Sequence, residues 1–143
     1  MARVTTLTTI VLIISIFLAS VVYSLQPSEA VSPPDRISED QIHIYKDKIV
    51  IDIEETSWSR YTNTNSMDPI IDIGANGIEI VPKMQDDLHI GDIVAYESEE
   101  ELIVHRIVDI EQDKNGKKYF ILKGDNSKTK DFEKVPFEKI KYV

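Results

Sequence analysis

Residues 101–124, "ELIVHRIVDIEQDKNGKKYFILKG", hold two runs of strand-forming residues joined through an Asn115-Gly116 pair. Asn-Gly between two alternating runs is a strong short-range signal for a β-hairpin, because a tight turn of this kind needs a positive φ at both positions. Shorter runs of the same character lie at residues 41–53, 77–82, 91–97 and 137–143. No helix of normal length is evident after residue 25. The pattern therefore predicts a mostly β, antiparallel domain over residues 41–143.

The N-terminal region has a different composition. Residues 4–25 carry no charge, and a helix of that length, at about 1.5 Å per residue, spans a hydrocarbon core of roughly 30 Å. Residues 1–25 are therefore predicted to be a transmembrane anchor, and the proline-rich residues 26–40 an exposed linker. Arg3 precedes the apolar run, which favours a single-pass protein of the cell membrane with its β domain on the outer face. The alternative is a cleaved signal peptide, since residues 28–30, "SEA", resemble a small-x-small cleavage site.

Charge and cysteine content exclude several classes of function. The net charge of −9 at pH 7 argues against a nucleic-acid partner, because neutralising phosphates requires basic patches. The chain has no cysteine, so disulfides, zinc–thiolate sites and thiol chemistry are not available to it. Nothing in the sequence indicates a metal ion or a cofactor.

Ser66 lies in the polar, turn-forming stretch "TNTNSMDPIID", residues 62–72. A serine hydroxyl there is either an ordinary loop or capping group or a nucleophile, and a nucleophile needs a base that takes its proton. His43 and His89 lie in charged stretches and are predicted to be solvated. His105 shares an alternating face with two isoleucines of the long hairpin, so it is either a partly buried strand residue or the base.

The predicted hairpin turn determines which residues face His105. With the Asn-Gly pair at the centre of a two-residue turn, His105 lies opposite Asn126, and Asp125 is one position away. Strict alternation sends Asp125 to the other face, but Gly124 permits a bend or bulge that would bring it to the imidazole. A carboxylate in that place holds the imidazole tautomer and stabilises the imidazolium.

The motifs "SMDP", "GDIVAY", "VHRI" and "KGDN" and a following Asp131 occur in that order. This order resembles the type I signal peptidase family, in the archaeal and endoplasmic-reticulum branch, where histidine stands in for the lysine base of the bacterial enzymes. The resemblance covers about residues 60–131 together with the N-terminal segment. It implies a signal-peptidase-like antiparallel β domain behind one N-terminal transmembrane helix. It also implies a membrane-anchored serine endopeptidase without a cofactor, whose partners are exported precursor proteins with signal peptides and the lipid bilayer.

The resemblance also implies roles for individual residues. Ser66 would attack the scissile carbonyl, and His105 would take its proton and pass it to the leaving amine. Asp125 would orient His105, while Asp131 would have a supporting role as a second carboxylate. The backbone N–H of Ser66 and the hydroxyl of Thr64, two residues earlier, would form the oxyanion hole.

One segment departs from the family pattern and leaves alternatives open. The family usually continues S-M-x-P with threonine and soon a glycine, whereas this chain has Ile70 and then "IDIGANG". A processing protease dedicated to one surface protein is therefore an alternative, as is a non-catalytic, anchored β-rich binding domain. A lysine base supplied by Lys123 is a further possibility. Tyr96 is assigned to the hydrophobic core, and residues 91–92 to a structural Gly-Asp turn.

Overall fold

The computed structural model describes residues 2–24, 31–99 and 101–143, with helical side chains described from residue 10 to residue 23. The chain divides into two units, residues 1–30 and residues 31–143. The first contains helix α1 (Ala2–Ser24), which covers nearly all of the uncharged run. Among the described residues no helix is long and apolar enough to cross a membrane, so the predicted transmembrane anchor is not confirmed. The predicted cleavage site at residues 28–30 lies outside the described residues.

The second unit is mostly β with antiparallel pairing, as the alternating sequence pattern predicts. Its described strands are β1 (Ile42–Ile44), β2 (Ile49–Ile51), β3 (Thr56–Arg60), β4 (Asn76–Ile80), β5 (Ile93–Ser98), β6 (Glu101–Gln112), β7 (Lys118–Lys123), β8 (Lys134–Pro136) and β9 (Ile140–Tyr142). Strand β1 pairs with β2 and β3 with β4, while the other strands form one sheet in the order β8-β7-β6-β5-β9. Short 3-10 helices lie at Glu39–Gln41, Gln85–Asp87 and Phe137–Lys139.

The hydrophobic core is built on the five-stranded sheet. Its buried members are Leu88, Val94, Tyr96, Ile107, Phe120, Leu122, Val135 and Ile140. Strand β6 is long enough to have two different neighbours: its first half pairs with β5 and its second half with β7. Among the described strands, the first half of β6 has no partner on its second edge. The sheet therefore leaves backbone donors and acceptors open along residues 101–105.

The β6–β7 hairpin exists, but its turn is longer than the Asn-Gly pair predicts. The backbone N–H of Asp113 donates to the carbonyl of Lys117 at 3.0 Å, which leaves a three-residue loop between them. The Asp113 carboxylate accepts the N–H groups of Asn115 and Lys117 at 2.8 and 3.0 Å. Gly116 has a φ of +83°, the conformation expected at the last position of such a loop. The Asp113 side chain thus stabilises a longer loop and changes the register.

A register irregularity within β6, between Ile107 and Asp109, shifts the pairing once more. Arg106 consequently pairs with Lys123, and continuing that pairing places His105 beside Gly124. The predicted position of His105 opposite Asn126 is wrong. A longer loop and a bulge each displace the pairing by one residue, and alternation along a single strand cannot reveal either of them.

Part of the predicted linker belongs to the folded unit, which begins at Val31. Arg36 donates to the carbonyl of Asp87 at 2.7 Å and forms an ion pair with the carboxylate of Asp92. Asp92 is 1% exposed, and a carboxylate buried to that degree is stable only with such partners. Residues 31–40 therefore lie in the compact unit with the β domain.

Candidate active site

Ser66 lies in the loop between β3 and β4, where two hydrogen bonds fix the backbone. Asn126 donates its backbone N–H to the carbonyl of Ser66 at 2.9 Å, and its side-chain amide to the carbonyl of Asn65, also at 2.9 Å. Asn65 has a φ of +58°, a left-handed conformation that asparagine tolerates better than most residues. The candidate nucleophile is therefore attached to the loop that follows β7.

Asn126 is a site residue that sequence reasoning did not assign. Its place in the "KGDN" motif is the sequence feature that points to it, because the predicted hairpin brings that motif close to His105. Its hydrogen-bond acceptors could not be predicted from the sequence, because the two carbonyl groups that it binds lie about 60 residues earlier in the chain. The asparagine side chain supplies a donor that the neighbouring aspartate cannot supply when ionised.

His105 lies on β6 directly opposite Val94 of β5. Its side chain is 13% exposed, and its Nδ1 lies 2.7 Å from Oδ2 of Asp131. A carboxylate at this distance accepts a proton held on Nδ1, so the neutral ring presents Nε2 as its free acceptor. This is the tautomer that a general base acting through Nε2 requires.

Gly124 lies between His105 and the Ser66 loop. A Cβ at this position would lie 2.6 Å from the backbone oxygen of Ser66 and 3.0 Å from Nε2 of His105. The first distance is shorter than real Cβ atoms show, and the second is tighter than most of them, so the close approach of the Ser66 backbone requires a residue without a side chain. The structure thus brings the candidate nucleophile and the free nitrogen of the imidazole to the same small region.

The carboxylate that contacts the imidazole is Asp131 and not Asp125, so the predicted contact between Asp125 and His105 is not formed. Both oxygens of Asp125 accept hydrogen bonds from Arg106, at 2.8 and 2.7 Å. This bidentate pair raises the pKa of the Arg106 guanidinium, chiefly through the hydrogen bond. Arg106 also donates to the carbonyl of Gly91 at 2.6 Å. Arg106 and Asp125 therefore lie on the face of the hairpin opposite to His105, as strict alternation of side chains along the strands predicts.

Asp131 is held from two sides. Its backbone N–H donates to the carbonyl of Leu122 in β7 at 2.8 Å, and its Oδ2 accepts the hydroxyl of Tyr96 at 2.9 Å. Tyr96 is 3% exposed, and burial together with the hydrogen bond to Asp131 raises the pKa of its phenol. The core position predicted for Tyr96 is confirmed, but its polar contact was missed, because the partner is 35 residues further along the chain.

Thr64 lies beside the candidate nucleophile, as the oxyanion-hole prediction requires. Its Oγ1 is 3.1 Å from Ser66 Oγ and 3.5 Å from the backbone nitrogen of Ser66. Within the described residues, this contact with Thr64 is the hydrogen bond that Ser66 Oγ makes, and it makes none with His105. Hydrogen bonds between catalytic groups are often long or unformed in sites without substrate, so this arrangement is compatible with a serine nucleophile.

These groups open into one cleft. It has a volume of about 340 Å³, and Thr64, Ser66 and His105 lie on its wall. The rest of the lining is mainly apolar and comes from both sides of the cleft: Tyr61, Met67, Ile71 and residues 102–104 of β6, with Thr62 and Glu101 as its polar members. The unpaired edge of β6 therefore runs along the same cleft that contains the polar groups.

The other candidate bases lie outside this arrangement. Lys123 donates its ammonium to the carbonyl of Gly124 at 3.1 Å and occupies the strand position opposite Arg106. His43 contacts Asp52 at 2.9 Å on the first hairpin. Of the candidate bases, His105 is the one that lines the cleft together with Ser66.

Comparison of the chain with protein-family models, with curated proteins and with solved structures finds no match.

Proposed function

We propose that this chain is a signal-peptidase-like serine endopeptidase that cleaves signal peptides from exported precursor proteins. Ser66 is the nucleophile, His105 the general base, and Asp131 the carboxylate that orients the imidazole. The observation that carries the proposal is the 2.7 Å contact between Asp131 Oδ2 and Nδ1 of His105, the histidine that lines the same cleft as Ser66. The family resemblance of the ordered motifs supplies the substrate class.

The proposed reaction begins when Ser66 Oγ turns from Thr64 towards His105. As Oγ attacks the scissile carbonyl, Nε2 of His105 takes the hydroxyl proton, and the Asp131 carboxylate stabilises the resulting imidazolium. The Ser66 N–H and the Thr64 hydroxyl donate to the oxyanion. The C–N bond then breaks, and Nε2 returns the proton to the leaving amine. A water molecule, deprotonated by the same nitrogen, hydrolyses the acyl ester and restores Ser66.

The open edge of β6 supports a mode of substrate binding. A precursor in extended conformation can add as a strand along residues 101–105 and form backbone hydrogen bonds there. Its alternate side chains would then point into the apolar part of the cleft, beside Ile71 and Ile103.

The test is cleavage of a purified precursor that carries a signal peptide with small residues before the cut. The wild-type chain should release the mature protein, and Ser66→Ala should not, while its thermal unfolding stays close to wild type because loop substitutions cost little stability. Ser59→Ala is the matched control, since Ser59 lies in β3, outside the cleft. Wild-type turnover by Ser66→Ala would refute the proposal.

A non-catalytic peptide-binding domain is the second candidate, and the hydrogen bond between Ser66 and Thr64 favours it because it leaves Ser66 Oγ without a base. A fluorophosphonate probe separates the two candidates. Labelling at Ser66, found by mass spectrometry and absent in His105→Ala, supports the protease. Peptide binding without any labelling supports the binding domain.

A further inference from the structure

We propose that Tyr96 is a positioning residue: its hydroxyl holds Oδ2 of Asp131 at the point where that oxygen binds His105, and so fixes the orientation of the imidazole. This inference rests on the proposed function, in which His105 acts as the general base. It assigns to a residue of the hydrophobic core a specific task in the candidate active site.

This role is supported by two hydrogen-bonding groups that contact the same carboxylate oxygen. The Tyr96 hydroxyl lies 2.9 Å from Asp131 Oδ2, and Nδ1 of His105 lies 2.7 Å from the same oxygen. The two rings are also close, with centroids 6.4 Å apart and planes inclined by 49°. Two donors from neighbouring strands thus fix the oxygen from different directions, because Tyr96 is on β5 and His105 on β6.

Asp131 needs such a restraint because it lies in a loop. Its backbone is attached to Leu122, but that bond leaves the carboxylate free to rotate about the bonds of the side chain. The side chain of Asp131 is 17% exposed, so water competes for its oxygens. A phenol fixed by core packing supplies a donor at a constant position. The carboxylate then has one favoured orientation, and so does the imidazole that binds it.

The hydroxyl of Tyr96 is not explained by packing alone. A phenylalanine would fill the same buried space, and burying a hydroxyl is unfavourable unless it finds a partner. Burial and the neighbouring carboxylate also raise the pKa of the phenol, so it stays a proton donor over the pH range of an enzyme assay. The hydrogen bond to Asp131 Oδ2 thus offsets the unfavourable free energy of burying the Tyr96 hydroxyl in the core.

The test compares Tyr96→Phe with Tyr119→Phe in the full-length protein. Each variant removes one phenolic oxygen and keeps the ring, but Tyr119 lies on β7, where the structure gives its hydroxyl no role in the cleft. Heteronuclear NMR of the His105 ring nitrogens reports how much of the neutral imidazole holds its proton on Nδ1. We expect that fraction to fall in Tyr96→Phe and to match wild type in Tyr119→Phe.

Steady-state kinetics on the precursor give a second readout. Tyr96→Phe should lower kcat about 10-fold with KM changed less than about 2-fold, because the restraint acts on the base and not on substrate binding. In an Asp131→Asn background the same substitution should have no further effect, since its target is already altered. An unchanged tautomer in Tyr96→Phe, or an equal loss of kcat in both backgrounds, would overturn the inference. Retained cleavage by Ser66→Ala would instead overturn the proposed function, and the tautomer measurement would still decide the role of Tyr96.

Discussion

His105 and Asp131 are 26 positions apart in the sequence, yet Nδ1 of one lies 2.7 Å from Oδ2 of the other. The contact joins the middle of β6 to the loop beyond β7. Asp125, which is closer to His105 in the sequence, is instead held by Arg106 on the opposite face of the hairpin. This distribution of the two carboxylates leads to the first prediction.

Asp131→Asn should lower kcat by about 10⁴-fold, because the amide no longer favours the imidazole tautomer that leaves Nε2 free. Asp125→Asn should affect kcat far less but should destabilise the fold by about 1–3 kcal/mol, since it breaks a largely buried bidentate pair with Arg106. Kinetics on a precursor and urea unfolding of both variants measure the two effects. A larger loss of kcat in Asp125→Asn than in Asp131→Asn would contradict the assignment.

Thr64 is predicted to serve the oxyanion, because its hydroxyl lies 3.1 Å from Ser66 Oγ. Thr64→Val keeps the shape of the side chain and removes the donor, so kcat should fall about 100-fold with little change in KM. Thr64→Ser retains a hydroxyl and is the matched control, expected within a few-fold of wild type. Equal activity of the valine and serine variants would show that this hydroxyl does not act on the transition state.

The identity of the base determines how the rate depends on pH. Imidazole accepts a proton only when neutral, so kcat/KM should fall towards acid with a limiting slope of one and level off at higher pH. A lysine base would give a rate that keeps climbing above about pH 9. The measurement is kcat/KM between about pH 5 and pH 10 for wild type, with Lys123→Met as the control that should share its profile. A continued rise, abolished in Lys123→Met, would transfer the role of base to Lys123.

Gly124→Ala should reduce activity strongly, because the added methyl group would lie 2.6 Å from the backbone oxygen of Ser66 and 3.0 Å from Nε2 of His105. It would also lie 2.7 Å from Oγ of Ser127, and relief of these contacts requires the Ser66 backbone or the loop after β7 to shift, which disturbs the placement of the nucleophile relative to the base. Gly74→Ala is the control: its φ of +89° makes alanine unfavourable there, but the new methyl group meets no atom within 4 Å. We expect Gly74→Ala to lower the melting temperature and keep kcat. Normal kcat in Gly124→Ala would show that the two groups are not closely opposed.

Tyr61, on the cleft wall, gives a prediction for stability at alkaline pH. Burial, reinforced by the nearby carboxylate of Glu79, raises the pKa of Tyr61 to about 12. A folded-state pKa above the unfolded value of about 10 means that the contribution to stability is complete below pH 10 and is lost as pH rises towards 12. The free energy of unfolding of Tyr61→Phe should therefore decline less steeply above about pH 10 than that of wild type. Urea titrations at several alkaline pH values test this, and identical slopes would refute it.

Local sequence determined the elements from which the site is built. Alternation of apolar and polar residues fixed the presence of β6 and β7, because the side chains of a strand point to opposite faces with a period of two. Turn-forming residues placed Ser66 in a loop. The same alternation places His105 on a partly buried face of its strand and Asp125 on the face away from His105.

Tertiary structure decided which of these residues meet. The Asp113 carboxylate stabilises a three-residue loop, and a bulge interrupts β6. Because each of them shifts the strand pairing by one residue, His105 lies beside Gly124 and not opposite Asn126. The contacts made by Asn126, Tyr96 and Asp131 join segments that are far apart in the chain. Their pairing depends on the packing of whole strands, whereas a sequence pattern reports only which face a side chain occupies. Choosing Asp131 over Asp125 therefore required the folded sheet.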